Sequence, residues 1–151
     1  MAQRNVVKMG DEVLRKVSKP VKDFNENLWQ LLDDMKETMH QNDGMGLAGV
    51  QVGVLKRVVV MEVNGAFFEM INPKITAQSE ELIEDEEGCL SVPNKHGIVA
   101  RPEWVTVQFQ DRYGFSMTIT GEEAFARCVC HELDHLEGVL YIDKIVKKSK
   151  K

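Results

Sequence analysis

Nothing in this 151-residue chain approaches the roughly 20 consecutive apolar residues that a membrane-spanning helix needs, so no membrane partner is expected. The opening stretch, MAQRNVVKMGDEVL, has no long apolar run and meets acidic residues early, unlike a secretory signal or an organelle transit peptide. A cytoplasmic protein is the expectation. Cysteine is scarce, three in all, and an odd number suits a reducing compartment better than a disulfide framework. Positive charge is in deficit: 19 Lys and Arg stand against 24 Asp and Glu, and the net charge of −5 argues against a general or sequence-specific nucleic-acid binder. There is no linker, internal repeat or low-complexity segment. The glycine-rich run Gly44–Gly53 lacks the Lys-Ser/Thr ending of a phosphate-binding loop, which excludes nucleotide binding. What remains has the length and the 28% charged content of an ordinary globular protein. A single catalytic domain is expected over 1–146, followed by a short basic tail over 147–151, solvated and disordered.

The most informative segment is His131-Glu132-Leu133-Asp134-His135. Positions i and i+4 lie on one helical face about a turn apart, so both imidazoles can reach a single metal ion. Glu132 points about 100° round the axis, too far to be a third ligand but placed to hold an activated water. That is the equipment of a metal-dependent hydrolase. Shuffling a composition with 4 His would produce this motif in roughly one chain in a hundred, so alone it leaves an ordinary surface helix in play. A catalytic site also needs a third protein ligand. His40 and His96 read as ordinary surface histidines, His96 in a loop beside Lys95. Cys128 shares the stripe of His131, but one rod cannot wrap three side chains round a tetrahedron, and it reads as a small buried residue under the metal face. Cys130 faces elsewhere and reads as core. Cys89, in Glu86-Glu87-Gly88-Cys89-Leu90-Ser91-Val92-Pro93, comes from a separate segment and makes Cys-His-His a workable set with water in the fourth place.

Periodicity supplies the frame. Leu28, Leu31, Leu32, Met35 and Met39 predict an amphipathic helix ending before Gly44. Strands are predicted over 57–63 and 66–71, joined by the hairpin dipeptide Asn64-Gly65. A second hairpin is predicted from 99–111 and 115–120 around Arg112-Tyr113-Gly114, and a second helix from about Glu122 to Leu136 with Gly138 as its stop. Helices and strands are segregated, so the fold class is α+β, with mainly antiparallel sheets packed around the helix that carries H-E-x-x-H.

Three segments taken together, Gly44 to Gln51, Glu87 to Ser91 and Cys130 to His135, resemble the G-φ-G-φ-A-A-x-Q, E-G-C-L-S and Q-H-E-x-D-H motifs of peptide deformylase. Val13-Leu14-Arg15, Pro20-Val21, Arg101-Pro102 and Gly138-Val139-Leu140 fit the same family, so the resemblance spans nearly the whole chain. It implies Cys89, His131 and His135 as metal ligands, Glu132 as general acid and base, and the Gln51 amide with the Leu90 backbone N–H as oxyanion donors. It implies one divalent metal per chain, Fe²⁺ in the cell, with Zn²⁺, Ni²⁺ or Co²⁺ able to take its place in purified protein. The implied substrate is the N-formylmethionyl end of nascent chains, with Gly44, Met45, Gly46, Cys128 and His96 around the methionine and its backbone. A monomer is expected, with docking of the basic tail near the ribosomal exit tunnel as a further implication. Gly49 and Val50 depart from the first motif, and Cys130 replaces the usual glutamine of the third. Two other readings are a zinc metallopeptidase, which shares H-E-x-x-H but completes its site with His or Glu, and a non-catalytic binder of metal or formylated N-termini.

Overall fold

Helix α1, Glu26–Gln41, starts where the sequence places a cap: the Asn25 side chain accepts a hydrogen bond from the Leu28 N–H at 3.2 Å. Its Leu28, Leu31, Leu32, Met35 and Met39 stripe is buried. The computed structural model describes residues 3–148. After α1 the chain forms β1 (Gly46–Ala48), a 3-10 turn over Gly49–Val52, then β2 (Val58–Val63) and β3 (Ala66–Gln78). Strands β4 (Leu82–Cys89), β5 (Val92–Pro102), β6 (Trp104–Gln110) and β7 (Ser116–Glu122) follow, then helix α2 (Ala124–Leu136) and β8 (Ile145–Lys148). Asn64 and Gly65 have φ of 52° and 81°, the pair of positive values that a type I′ hairpin turn requires.

Neighbouring strands pair antiparallel in two sheets, one in the order β1-β2-β3-β6-β7, the other β4-β5-β8. Two clusters of buried apolar residues form the core beside the larger sheet. Helix α1 packs against Leu47, Val58, Val60 and Ile71. Helix α2 packs against Ala48, Val59, Met61, Met70, Val105 and Val107. A third cluster, with Leu14, Val92, Val99, Leu140 and Tyr141, joins the smaller sheet to the segment after α2. Phe125, Ala126, Cys128, Val129, Cys130, His131, Glu132, His135 and Leu136 of α2 are all buried, so the motif-bearing helix is central. The class is α+β, as its segregated elements predict.

Three expectations change. The strand expected over 99–111 is two strands in different sheets. Ser79 Oγ accepts from the N–H groups of Glu103 and Trp104 at 2.7 and 3.3 Å and so pins a corner just after Pro102, which has no N–H for a ladder. His96 lies not in a loop but within β5, and Cys89 ends β4 in a tight hairpin, opposite Val92. Lys147 and Lys148, assigned to a disordered tail, continue β8 and pair with Ile98 and Gly97; residues 149–151 lie outside the described residues.

Candidate active site

His131 and His135 stand one turn apart on α2 with ring centroids 5.1 Å apart, and the β4–β5 hairpin brings Cys89 to them from the smaller sheet. One ligand atom from each of the three residues lies within 4.8 Å of the others, with Cys89 Sγ 3.4 Å from His135 Nε2. Thiolate and imidazole at such separations fit a divalent transition metal of borderline softness.

His131 is oriented from behind. Glu87, two residues before Cys89 in β4, accepts from His131 Nδ1 at 2.9 Å. A carboxylate can only accept there, so Nδ1 carries the proton and Nε2 is left for a metal. Arg101 donates to both Glu87 oxygens at 2.9 and 3.0 Å and to Asp134 at 2.7 Å. Arg127 donates to Glu87 at 2.6 Å and to the Val99 and Ile83 carbonyls at 2.9 and 2.6 Å, tying α2 to β5 and β4. Burial opposes the charge on Glu87, but the bonds from His131 and Arg101 hold its carboxyl well below the usual range. Burial likewise opposes charge on His131, yet hydrogen bonds to Cys89 and Glu87 raise it to about 10 without a metal. His135 is pushed down to about 3 by burial and by the nearby positive His131 and Arg101, and so offers a neutral ring. Tyr141 stacks on His131 at 6.0 Å and donates to the Lys95 carbonyl at 2.9 Å.

Glu132 is 4% exposed, and its Oε1 has no hydrogen-bond partner among the described residues. Burial raises its carboxyl to about 7. A buried carboxylate that no protein group satisfies, beside three metal-type donors, is placed to handle a proton. Gly46 makes room for it: a Cβ there would lie 2.6 Å from Glu132 Oε2 and 3.0 Å from Cys128 Sγ. Gln51 is held with its Oε1 accepting from the Ala48 N–H at 2.9 Å and its Nε2 donating to Ser91 Oγ at 3.1 Å. The same Nε2 lies 3.5 Å from Cys89 Sγ, so the amide faces the candidate ligands.

A cleft of about 990 Å³ opens over this group and is lined by Gly44, Met45, Gly46, Gln51, Cys89, Leu90, His96, Cys128, His131 and Glu132. Thus every residue that the sequence nominates for the site meets here; His135 lies beneath the cleft surface, fully buried. Gly44 and Leu90 touch across it, since a Cβ on Gly44 would meet Leu90 Cδ1 at 2.8 Å. Glu87, Ser91, Arg101, Arg127 and Tyr141 are the functional neighbours that sequence reasoning did not assign. The one trace Glu87 left is its place two residues before the candidate ligand Cys89, since a ligating histidine needs an acceptor nearby. The others left none. Gly49 has a local reason: a Cβ there would press on Val58 Cγ2 at 2.8 Å and on the Lys56 and Val54 carbonyls at 3.0 Å. Cys130 turns away from the cleft into the core and a smaller hollow behind α2, with burial raising its thiol to about 11.

The family model described as polypeptide deformylase matches residues 3–151. The peptide deformylase of Caldanaerobacter subterraneus subsp. tengcongensis is 50% identical over 147 residues, 97% of this chain and 92% of the relative. Peptide deformylase 1 of Clostridium acetobutylicum is 46% identical over 149 residues, 99% of each chain. Among solved structures, the peptide deformylase of Thermotoga maritima superposes with a TM-score of 0.93 at 41% identity, covering 95% of this chain and 97% of that one. That of Ehrlichia chaffeensis in complex with actinonin gives 0.94 at 39%, covering 99% and 91%.

Proposed function

The chain belongs to the peptide deformylase family, and on that footing we propose that Cys89, His131 and His135 hold its catalytic metal while Glu132 moves the proton. The enzyme is a metal-dependent hydrolase that removes the N-formyl group from the initiator formylmethionine of nascent polypeptides, releasing formate. The observation that carries the assignment is the convergence of three metal-type donors from two elements beside a buried, unpartnered carboxylate.

When bound, the ion supplies Lewis-acid polarisation and a water of lowered pKa. Glu132, near neutrality in its own titration, accepts the proton of the attacking water and returns it to the amine that leaves when the formyl C–N bond breaks. The Gln51 amide, fixed by Ala48 and Ser91, and the Leu90 N–H face the oxygen on which negative charge develops. Gly46 opens β1, whose second edge is unpaired among the described residues, and together with the preceding Gly44 and Met45 it offers backbone to the extended peptide. Cys128 and His96 wall the methionine pocket, and the small space above Gly46 suits an acyl group of one carbon. The family resemblance implies Fe²⁺ as the cellular ion, and the thiolate and imidazole donors suit Zn²⁺, Ni²⁺ and Co²⁺ as well. On the same reading the enzyme works in the cytoplasm as a monomer, meeting chains near the ribosomal exit tunnel, where formylated N-termini first appear.

The direct test is formate release from formyl-Met-Ala-Ser and acetyl-Met-Ala-Ser by Fe²⁺-loaded protein prepared anaerobically. Turnover confined to the formyl peptide is expected; equal turnover of the acetyl peptide would remove the small-acyl assignment. Gly46→Ala probes the same space. Its methyl must displace the Glu132 carboxylate, and a misplacement near 1 Å typically costs about 100-fold in rate. The expected result is that loss in kcat with metal content retained; unchanged kcat would mean Glu132 is not the group that Gly46 accommodates.

A further inference from the structure

The two groups assigned to the developing oxyanion, the Gln51 amide and the Leu90 N–H, come from separate parts of the fold. Gln51 sits in the 3-10 turn after β1, beside the five-stranded sheet. Leu90 and Ser91 form the turn between β4 and β5 of the three-stranded sheet. No strand ladder joins the two sheets among the described residues. The N-terminal segment does join these turns. The Val7 N–H donates to the Gln51 backbone carbonyl and the Met9 N–H to the Ser91 carbonyl, both at 2.7 Å. Between them, Lys8 Nζ reaches the Leu90 carbonyl at 3.4 Å. Both ends of this segment are tied down. The Arg4 N–H donates to Thr38 Oγ1 at 2.8 Å, and its Nε to Asp34 Oδ2 at 3.0 Å, both on α1. Asp34 is 4% exposed, and an ion pair with a buried partner is costly to break, so the anchor is firm. Beyond Met9, Asp11 caps the 3-10 turn Glu12–Arg15, whose Leu14 is buried in the cluster that also receives the Val7 side chain.

We propose that Arg4–Met9 is a brace that sets the separation of the two oxyanion donors, with Val7 and Met9 acting through their N–H groups and Arg4 as the anchor. The inference rests on the deformylase reading of the site. Arg4, Val7 and Met9 line no part of the cleft, so they are positioning residues. The Gln51 amide also reaches Ser91 Oγ, but that bond aims it correctly only while the two backbones stand at the right distance. The brace fixes that distance with two bonds at the short end of the N–H···O range, which leave little slack. Donors aimed at charge that develops only in the transition state lower kcat, and not substrate binding, when they are displaced.

The test measures kcat and KM on formyl-Met-Ala-Ser for Val7→Pro, which deletes the N–H that holds the Gln51 backbone. The expected result is a fall in kcat of about 10- to 100-fold with KM within about twofold of the wild type. In a Gln51→Ala background the same substitution should cost less than about twofold, because the donor it positions is already gone. Met9→Pro acts on the Leu90-Ser91 turn instead and should keep its cost in that background. Leu28→Ala opens a cavity near the start of α1 and reads out lost stability alone; its Tm should fall while kcat holds. Should a proline variant not fold, Arg4→Met slackens the anchored end and should lower kcat with KM unchanged, an effect that Arg4→Lys reverses at least in part. In the metal-free wild type, the Val7 and Met9 amide protons should be protected from hydrogen exchange. Unprotected amides there overturn the proposal. So does a loss confined to KM, a full cost of Val7→Pro in the Gln51→Ala background, or unchanged kcat in both Val7→Pro and Arg4→Met. Failure of the wild type on the formyl peptide would instead bring down the deformylase reading and this inference with it.

Discussion

Glu132→Gln is expected to lower kcat by about 10²- to 10⁴-fold while metal content stays as in the wild type. Glutamine keeps the shape of the side chain but cannot carry the proton between water and amine. The same change should stabilise the metal-free protein. Burial raises the Glu132 carboxyl from its ordinary 4.5 to about 7. The folded state therefore binds its proton more tightly than the unfolded chain does. The resulting stability is fully present below about 4.5, and it is lost as pH rises through 7. Glutamine has no such loss, so at pH 8 the metal-free variant should exceed the wild type by about 3 kcal/mol, a difference that vanishes near pH 4. Urea unfolding in chelator at the two pH values reads this out. A variant that is inactive but no more stable at pH 8 would mean that Glu132 is not a desolvated carboxylate.

Cys89→Ala carries the second large effect. Loss of an outer hydrogen-bond partner of a metal ligand costs about 10- to 100-fold in affinity, and loss of a ligand should exceed that. The variant should emerge metal-free from dialysis against a weak chelator that leaves the wild type loaded. Its fold should survive, because Cys89 is half-buried at the end of a hairpin. Cys130→Gln is the matched comparison. Cys130 lies on the far side of α2 from the cleft, so this variant should keep its metal and alter kcat only modestly. Metal retention by Cys89→Ala, or metal loss by Cys130→Gln, would reverse the assignment.

The parts of the site legible in the sequence are those that local geometry dictates. His131, Glu132 and His135 sit on one helix, where a spacing of four fixes which side chains share a face. Cys89 could be nominated because a closed site needs a ligand from elsewhere in the chain. Gly46 marks a close approach that only a residue without Cβ permits. The buried network was not legible. Glu87 meets His131, Arg101 and Arg127 across 44, 14 and 40 residues, and no periodic pattern records such partners. The carboxylate run Glu84-Asp85-Glu86-Glu87 hides strand β4, because acidic residues are depleted in strands. The corner at Glu103 leaves no local signal because the side chain that pins it, Ser79, lies 24 residues earlier. The sequence predicts a loop at His96 for a related reason: its strand contains Pro93, Asn94 and Gly97, each a turn signal on its own.

The measurement closest to the central claim is a titration of metal-free protein with Co²⁺, followed by absorption. Coordination by Cys89, His131 and His135 predicts a thiolate-to-cobalt charge-transfer band that saturates at about one equivalent, absent from Cys89→Ala and intact in Glu132→Gln. A titration with no thiolate band, or with the same band in Cys89→Ala, would contradict the proposed metal site.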